Sequence, residues 1–592
     1  MTPTTKLVVA HKIWSLLTFA ERRGALALLA LMLIGMVLET LGIGLVIPVI
    51  SLLMQGDFAS DYPAFQPVLE AMGNPSHKNI VIGGMLIVVG LYLVKALFLV
   101  LLAWQQARFT FGVRVQLSQR LFAIYLRQPY IFHLQRNSAQ LIQNIIGEVS
   151  LFTNRAIMPG LTLFTEVLVL FGLFSLLIFV EPLGALIAIV LLGTAAWGFH
   201  HLTRKRIGRW GKARQHHDGL RIQHLQQGLG GAKDVKLLGR EAEFLEQYSS
   251  HNEQSAYVEQ WQHTLQQLPR LWLELLSVSG LVILVIGMLM RGQPLEAVLP
   301  TLGLFAVAAF RLIPSVNRIL GAVQSLRYGM PAIDVLHKEI NLATQDLAGA
   351  DRTVVPFRVM LELDHITYTY PTAVEHALND ISITIKRGES VGFIGVSGAG
   401  KSTLVDILLG LLTPDAGEVR IDGENIQVNV RNWQDQIGYV PQSIFLTDDT
   451  LRRNVAFGLS SEQIDDTAVQ LAIKAAQLEE FVAGLPLGLE TVLGERGIRL
   501  SGGQRQRIGI ARALYHDPAV LMLDEATSSL DTATEYGVMQ AVHAMHGAKT
   551  IIIVAHRLST VEHCKRLYRL EQGRVVEEGR TADILGTKSR SA

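Results

Sequence analysis

Apolar and polar positions divide the chain near residue 325. Before that point six apolar runs stand out, at 24–54, 80–103, 157–180, 183–202, 271–290 and 295–320. Each is close to or above the ~20 residues that an α-helix needs to cross a bilayer. Only Glu181-Pro182 separates the third and fourth runs, which predicts a tight helical hairpin, while Arg311 and Pro314 interrupt the sixth. Between the runs, 104–156 and 203–270 hold few Gly or Pro and repeat Leu, Ile and Val at helical spacing. They read as membrane helices continuing beyond the bilayer, where 25 residues reach on the order of 35–40 Å.

From about residue 330 to 357 the hydropathy falls and turn residues collect. Strand-like stretches follow (RVMLELDHITYTY, ISITIKRGESVGFIG, AVLMLDEA, TIIIVAHR) and alternate with helices, predicting an α/β domain with a largely parallel sheet. The expected organisation is an amphipathic helix over 1–23 and a six-span transmembrane domain over 24–325. A linker over 326–357 then leads to the α/β domain over 358–592.

Composition agrees with this division. Apolar residues make up 49% of the 592 and charged residues only 17%, low for a soluble protein. Lys and Arg number 52 against 51 Asp and Glu, so net charge gives no reason to expect a nucleic-acid partner. Its distribution is more telling. Ten Lys and Arg fall between Arg204 and Arg240, and Arg108, Arg114, Arg120, Arg127, Arg136 and Arg155 follow span two. The 55–79 loop has Asp57, Asp61 and Glu70 against Lys78. The positive-inside rule therefore places both termini and both long basic loops in the cytoplasm. KLVVAHKIWSLLTFAERR is charged throughout and runs without a cleavage site into a full-length span, unlike a cleaved signal peptide. The single cysteine, Cys564, excludes an internal disulfide.

GVSGAGKST, 395–403, lies between the apolar strand SVGFIG and the helix TLVDILLGLL. It fits the P-loop spacing through Gly395, Gly400, Lys401 and Ser402. In such a loop Val396, Ser397, Gly398, Ala399 and Thr403 complete a cradle of backbone N–H groups around ATP phosphates. Lys401 reaches the outer oxygens, and the Ser402 hydroxyl is a Mg²⁺ ligand. AVLMLDEA supplies two carboxylates at a strand end: Asp524 for the Mg²⁺ shell and Glu525 to polarise an attacking water. LSGGQRQR, 500–507, adds small residues at the start of a helix. Ser501, Gly502, Gly503 and Gln504 form a second anion cradle without a lysine.

These motifs together resemble the nucleotide-binding domain of ABC transporters, over about 358–580 and in family order. The resemblance implies ATP hydrolysis. It assigns Tyr370 to adenine stacking, Gln442 to the loop linking the Mg²⁺/γ-phosphate site with the membrane domain, Asp531 to the D-loop and His556 to γ-phosphate contact. Glu495-Arg496-Gly497 matches an exporter-like loop. It further implies that LSGGQ of one subunit closes over ATP held by the P-loop of another. With one copy of each motif, all intact, the chain is expected to be half of a transporter and to work as a homodimer; a heterodimer is the alternative.

Spans fused ahead of the nucleotide domain resemble the exporter arrangement. RQPYIFHLQRNSAQ (127–140) and GLGGAKDVKLLGRE (228–241) then resemble the two coupling helices. ETLGIGLVIPVISL and GGAKDVKLLGRE resemble PglK-type lipid-linked oligosaccharide flippases, and FASDYPAFQPVLEAMG is long enough for a short external helix. The first substrate reading is accordingly a polyprenyl-diphosphate-linked oligosaccharide in a bacterial inner membrane. Multidrug, lipid A or peptide export is the alternative, with an ATP-gated channel or regulator behind it. Lys95, Arg270 and Arg311 in the apolar runs either face a cavity and a phosphate headgroup or pair with acids such as Glu39.

Overall fold

The computed structural model describes residues 3–45, 77–180, 182–290, 295–342, 356–371, 373–494, 497–498, 500–526, 532–555 and 557–586. The chain forms two compact units, one of residues 1–128 with 135–344, the other of residues 129–134 with 345–592.

The first unit is helical. Helix α1 spans Pro3–Leu16 and α2 spans Phe19–Gly44. A capping box starts α2: the Thr18 N–H donates to Glu21 Oε2 at 2.6 Å, and the Glu21 N–H donates to Thr18 Oγ1 at 3.3 Å. The helix carrying the first apolar run therefore begins at Phe19, inside the segment expected to lie on the surface. Helices α3 (His77–Leu126), α6 (Pro182–Gly230) and α8 (Glu241–Met290) are 50, 49 and 50 residues long, each about 75 Å. The apolar runs do continue into long struts.

Two short helices interrupt the struts, α4 (Tyr130–Gln135) after Pro129 and α7 (Ala232–Leu238), which stops at the left-handed Gly239, φ 63°. Between them lie α5 (Met158–Val180) and the start of α6 at Pro182, the tight hairpin expected at this point. The last helices are α9 (Leu295–Tyr328) and α10 (Met330–Ile340). Part of the expected linker is thus helical, because α10 buries Ala332, Ile333 and Leu336 on one face.

Among the described residues, Phe19–Gly42, Val81–Leu126 and Ser138–Phe179 are long and apolar enough to cross a membrane. The other three runs also lie on helices, and each includes side chains outside the described set. Leu173, Leu192, Leu273, Leu312 and Val316 from α5, α6, α8 and α9 form one buried core. In the struts Arg214, 3% exposed, bridges Glu148 at 3.1 Å and Asp218 at 3.3 Å. Ser255 donates a further hydrogen bond to Asp218 at 2.7 Å.

The second unit contains two sheets. Strands β1 (Met360–Tyr368), β2 (Leu378–Lys386), β4 (Ala416–Ile421) and β5 (Glu424–Asn425) form an antiparallel sheet in the order β2-β1-β4-β5. The other follows the order β10-β9-β3-β8-β7-β6. It contains β3 (Ser390–Ile394), β6 (Ile437–Val440), β7 (Val520–Asp524), β8 (Thr550–Val554) and β9 (Arg566–Glu571), all parallel, with β10 (Arg574–Arg580) antiparallel at one edge. The parallel expectation holds for this sheet and not for the β1–β2 stretch. Burial explains the split: β3, β7 and β8 are covered on both faces, whereas β1 alternates buried and half-buried positions. Helices α11 (Lys401–Leu408), α12 (Gly502–Leu514) and α13 (Thr532–His543) belong to the same unit.

Candidate functional site

The P-loop leaves the end of β3 and opens α11, the strand–loop–helix order its spacing predicts. Gly400 caps the helix at φ 98°, and a Cβ there would lie 2.6 Å from the Ala377 carbonyl oxygen. At Gly395 a Cβ would lie 2.3 Å from the Leu570 carbonyl oxygen. Glycine is required at both places, by conformation at the first and by close approach at the second. Lys401 is 6% exposed, and its ammonium donates to the Gly395 and Val396 carbonyls at 2.9 and 3.0 Å. Burial pulls its pKa below the ordinary lysine value, against the pull of the Glu525 and Asp524 carboxylates. The cation is thus anchored at the mouth of the loop, within electrostatic reach of both acids. Val396, Ser397, Gly398, Ala399, Ser402 and Thr403 fill the loop and the first turn of α11.

Tyr370 follows β1 and is half-buried against the core around that sheet. Its hydroxyl shares a hydrogen bond of 3.2 Å with Thr403 Oγ1, and its ring meets Tyr368 edge-on at 5.1 Å. The aromatic and the P-loop helix are therefore brought together.

Asp524 ends β7, level with Val554 of β8, and is 8% exposed. It accepts a hydrogen bond from the Tyr439 hydroxyl at 3.4 Å. Glu525 is the next residue, in the left-handed region at φ 48°, with its N–H donating to the Val554 carbonyl at 2.9 Å. Such a conformation costs about 1–3 kcal/mol for a non-glycine residue, and here it turns the carboxylate off the strand. Gln442 Nε2, in the exposed loop beyond β6, donates to Glu525 Oε2 at 2.7 Å.

Sequence reading did not anticipate the cluster behind these residues. Asp406 on α11 is pushed up to about 6 by burial and by the Asp524 charge. Tyr130, one of the strut residues grouped with this unit, is raised by burial and then by Asp406 and Tyr370. Ile131 beside it packs on the core that includes β1 and β3. The signal available in the sequence was the Pro129-Tyr130-Ile131 break in an otherwise helical strut.

Ser501 caps α12 in a full capping box. The Gln504 N–H donates to Ser501 Oγ at 3.2 Å, and the Ser501 N–H donates to Gln504 Oε1 at 2.8 Å. The N–H groups of Gly502 and Gly503, in the first turn, have no acceptor within the helix. This cradle satisfies its own side chains and forms no hydrogen bond with the P-loop among the described residues. His556, Asp531, Glu495 and Arg496 lie outside the described residues, as do the side chain of Arg311 and the segment 46–76, where a short external helix is expected.

Two of the membrane cations, Lys95 and Arg270, have partners among the described residues. Lys95 pairs with Glu39 at 2.7 Å, both largely buried, and Arg270 pairs with Glu274 at 2.9 Å. A further pair, Arg318 with Glu166 at 2.5 Å, joins α9 to α5 and was not expected. The opposite charges in spans three and six were its visible signal.

The family description "ABC transporter" matches residues 378–528, and "ABC transporter transmembrane region" matches residues 28–255. An ATP-dependent lipid A-core flippase of Cupriavidus metallidurans is 32% identical over 505 residues, covering 84% of each chain. The same-named protein of Thiobacillus denitrificans is 31% identical over 497 residues, covering 83% of this chain and 84% of that one. Among solved structures, a bacterial Atm1-family ABC exporter with ATP bound superposes with a TM-score of 0.78 at 24% identity, covering 96% of this chain and 98% of that one. With exporter-type helices and a complete P-loop domain in one polypeptide, this chain belongs to the ABC transporter family and is an ATP-dependent translocase.

Proposed function

We propose that this chain works as a homodimer that couples ATP hydrolysis to the flipping of an amphipathic glycolipid across a bacterial inner membrane, with both termini and the nucleotide unit in the cytoplasm. The observation that carries hydrolysis is the 2.7 Å contact from Gln442 to Glu525 at the end of β7, within electrostatic reach of the Lys401 ammonium. It holds a carboxylate where it can take a proton from water attacking the γ-phosphate, the proton passing to a Glu525 oxygen. Lys401 and the P-loop N–H groups stabilise the charge on the transferred phosphoryl group. Tyr370 provides the adenine platform. The resemblance assigns His556 to γ-phosphate contact and Asp531 to the D-loop.

The donor set suits Mg²⁺, which prefers hard oxygen ligands: the exposed Ser402 hydroxyl, the Asp524 carboxylate and the Gln442 amide oxygen. When bound, that ion neutralises charge on the β- and γ-phosphates.

Two sites per dimer follow from the self-contained Ser501–Gln504 cap, which forms a complete surface for a nucleotide held by the other subunit. The grouping of residues 129–134 with the nucleotide unit supports a coupling role for α4, and α7 is assigned the equivalent role in the second strut.

Lipid as cargo is supported by the lipid A-core flippases above. A polyprenyl-diphosphate glycan is the second reading, favoured by ETLGIGLVIPVISL and GGAKDVKLLGRE. The pairing of Lys95 and Arg270 with acids weakens the support that membrane cations lend it. The deciding experiment compares ATPase stimulation and flipping in proteoliposomes with lipid A-core, polyprenyl-diphosphate glycans and cationic drugs. Stimulation by either lipid class is expected; robust stimulation by drugs with no response to both lipids overturns the reading.

A further inference from the structure

The first unit contains a cavity of about 810 Å³, walled by Ile13 and Trp14 of α1, Leu29 of α2, Phe164 of α5, Trp197 of α6 and Val323 of α9. This is within the ~300–1,000 Å³ of small-molecule sites. Of its lining, only His200 and Arg327 carry ionisable side chains. Along α9 the lining runs from Leu320 to Arg327, about 10 Å of helix. Trp197 is 69% exposed, so an amphipathic ring stands open at the wall.

At Arg327 and Met330 the cavity adjoins a second hollow of about 1050 Å³ with the opposite character. Its other cations, Arg204, Lys205, Arg209 and Lys212, follow one face of α6 around Gly208, where a Cβ would meet nothing within 4 Å. Its one acid, Asp334, is already held by Lys12 at 2.6 Å. Arg204, Lys205, Arg209, Lys212 and Arg327 have no ion pair or hydrogen bond among the described residues. Further along the same helix, Arg214 and Arg221 are both matched by Asp218. Burial and the neighbouring Arg204 guanidinium draw the Arg327 pKa below the ordinary arginine value, the condition that a bound anion relieves.

We propose that these adjoining hollows bind one anionic phospholipid of the leaflet beside the basic struts, its acyl chain under α1 and its phosphate at Arg204, Arg209 and Arg327. An apolar chamber that ends in uncompensated guanidinium groups is complementary to a molecule with a hydrocarbon tail and a phosphodiester head. Arginine forks suit phosphate oxygens, and juxtamembrane cations draw anionic lipid. A free anion leaves the apolar chamber unfilled, and a neutral lipid leaves the arginines unmatched.

The test uses the full-length protein in detergent, without nucleotide and with each lipid offered separately, so that its failure leaves the flippase reading untouched. Native mass spectrometry compares retention of phosphatidylglycerol and phosphatidylcholine. Phosphatidylglycerol is expected to bind in preference. The combined variant Arg204→Gln, Arg209→Gln, Arg327→Gln should weaken it at least about tenfold and leave phosphatidylcholine unchanged. Gly160→Phe, at a lining position where a Cβ meets nothing within 4 Å, should weaken it by filling the chamber. Basal ATPase reports that each variant is folded. An undiminished preference in the triple variant overturns the proposal. So does full displacement by inorganic phosphate, retention of lipid A-core or polyprenyl diphosphate alone, or a cross-link from Trp197 to a second copy of this chain.

Discussion

Gln442 donates its side-chain amide to the Glu525 carboxylate at 2.7 Å, although 83 residues separate them. The bond ties the exposed loop after β6 to the strained turn after β7. A displacement of that loop is felt directly at the group assigned to activate water.

Glu525→Gln should therefore reduce ATP turnover by on the order of 10²–10⁴-fold, the range for losing a general base, and leave ATP binding intact. Gln442→Ala should give a smaller loss, since the carboxylate remains but is no longer oriented. ATPase assays alongside nucleotide-binding fluorescence separate the two effects. Sustained hydrolysis by Glu525→Gln would remove that residue from its role.

The buried strut network gives a stability prediction. Arg214→Met leaves Glu148 buried without its cation and Asp218 with Arg221 alone, a loss of roughly 3–5 kcal/mol. The melting transition of the full chain should fall accordingly, while substitution of the exposed Arg240, paired with Glu243, should leave it almost unmoved.

The Lys95–Glu39 pair separates structural from cargo-binding roles. Either single neutralisation, Lys95→Met or Glu39→Gln, should lower folded yield by stranding a charge in the membrane unit. The double variant should recover yield and flipping together. Recovered yield with flipping still absent would return Lys95 to the transport path.

A pH dependence follows from the second unit. His543, at the end of α13, is lowered to about 4 by burial and then by His546 and His563. The folded chain holds it neutral, whereas the unfolded chain protonates it near the ordinary value of 6.5. Between those values the unfolded state binds the extra proton. This contribution to stability is present above about 6.5 and declines as pH falls towards 4. His543→Phe should flatten that acid limb in melting temperatures recorded from pH 8 to 4.

The P-loop, the acidic strand end and the signature helix were legible because each is a local pattern whose glycines, lysine or carboxylates have one structural use. The Gln442–Glu525 contact was not, since pairing across 83 residues depends on the order of strands. The antiparallel β1–β2 sheet was hidden because β1 still buries apolar residues at Leu361, Leu363, Ile366 and Tyr368, as a strand of either kind of sheet would. Lys95–Glu39 was one of two readings that composition left open, and packing of α2 on α3 decided it. Arg318–Glu166 required knowing that α5 and α9 are neighbours. The 127–140 stretch was legible as a coupling segment, but the electrostatic link of Tyr130 to Asp406 depends on where α11 lies in the folded unit.

Because the side chains of Ser501 and Gln504 each accept from the other's backbone N–H, the main-chain donors this cap still offers outward are those of Gly502 and Gly503. None of its four residues is ionisable. A phosphate approaching it would meet oriented dipoles that need no counter-charge stripped of water, and no titration within the cap itself would alter that contact.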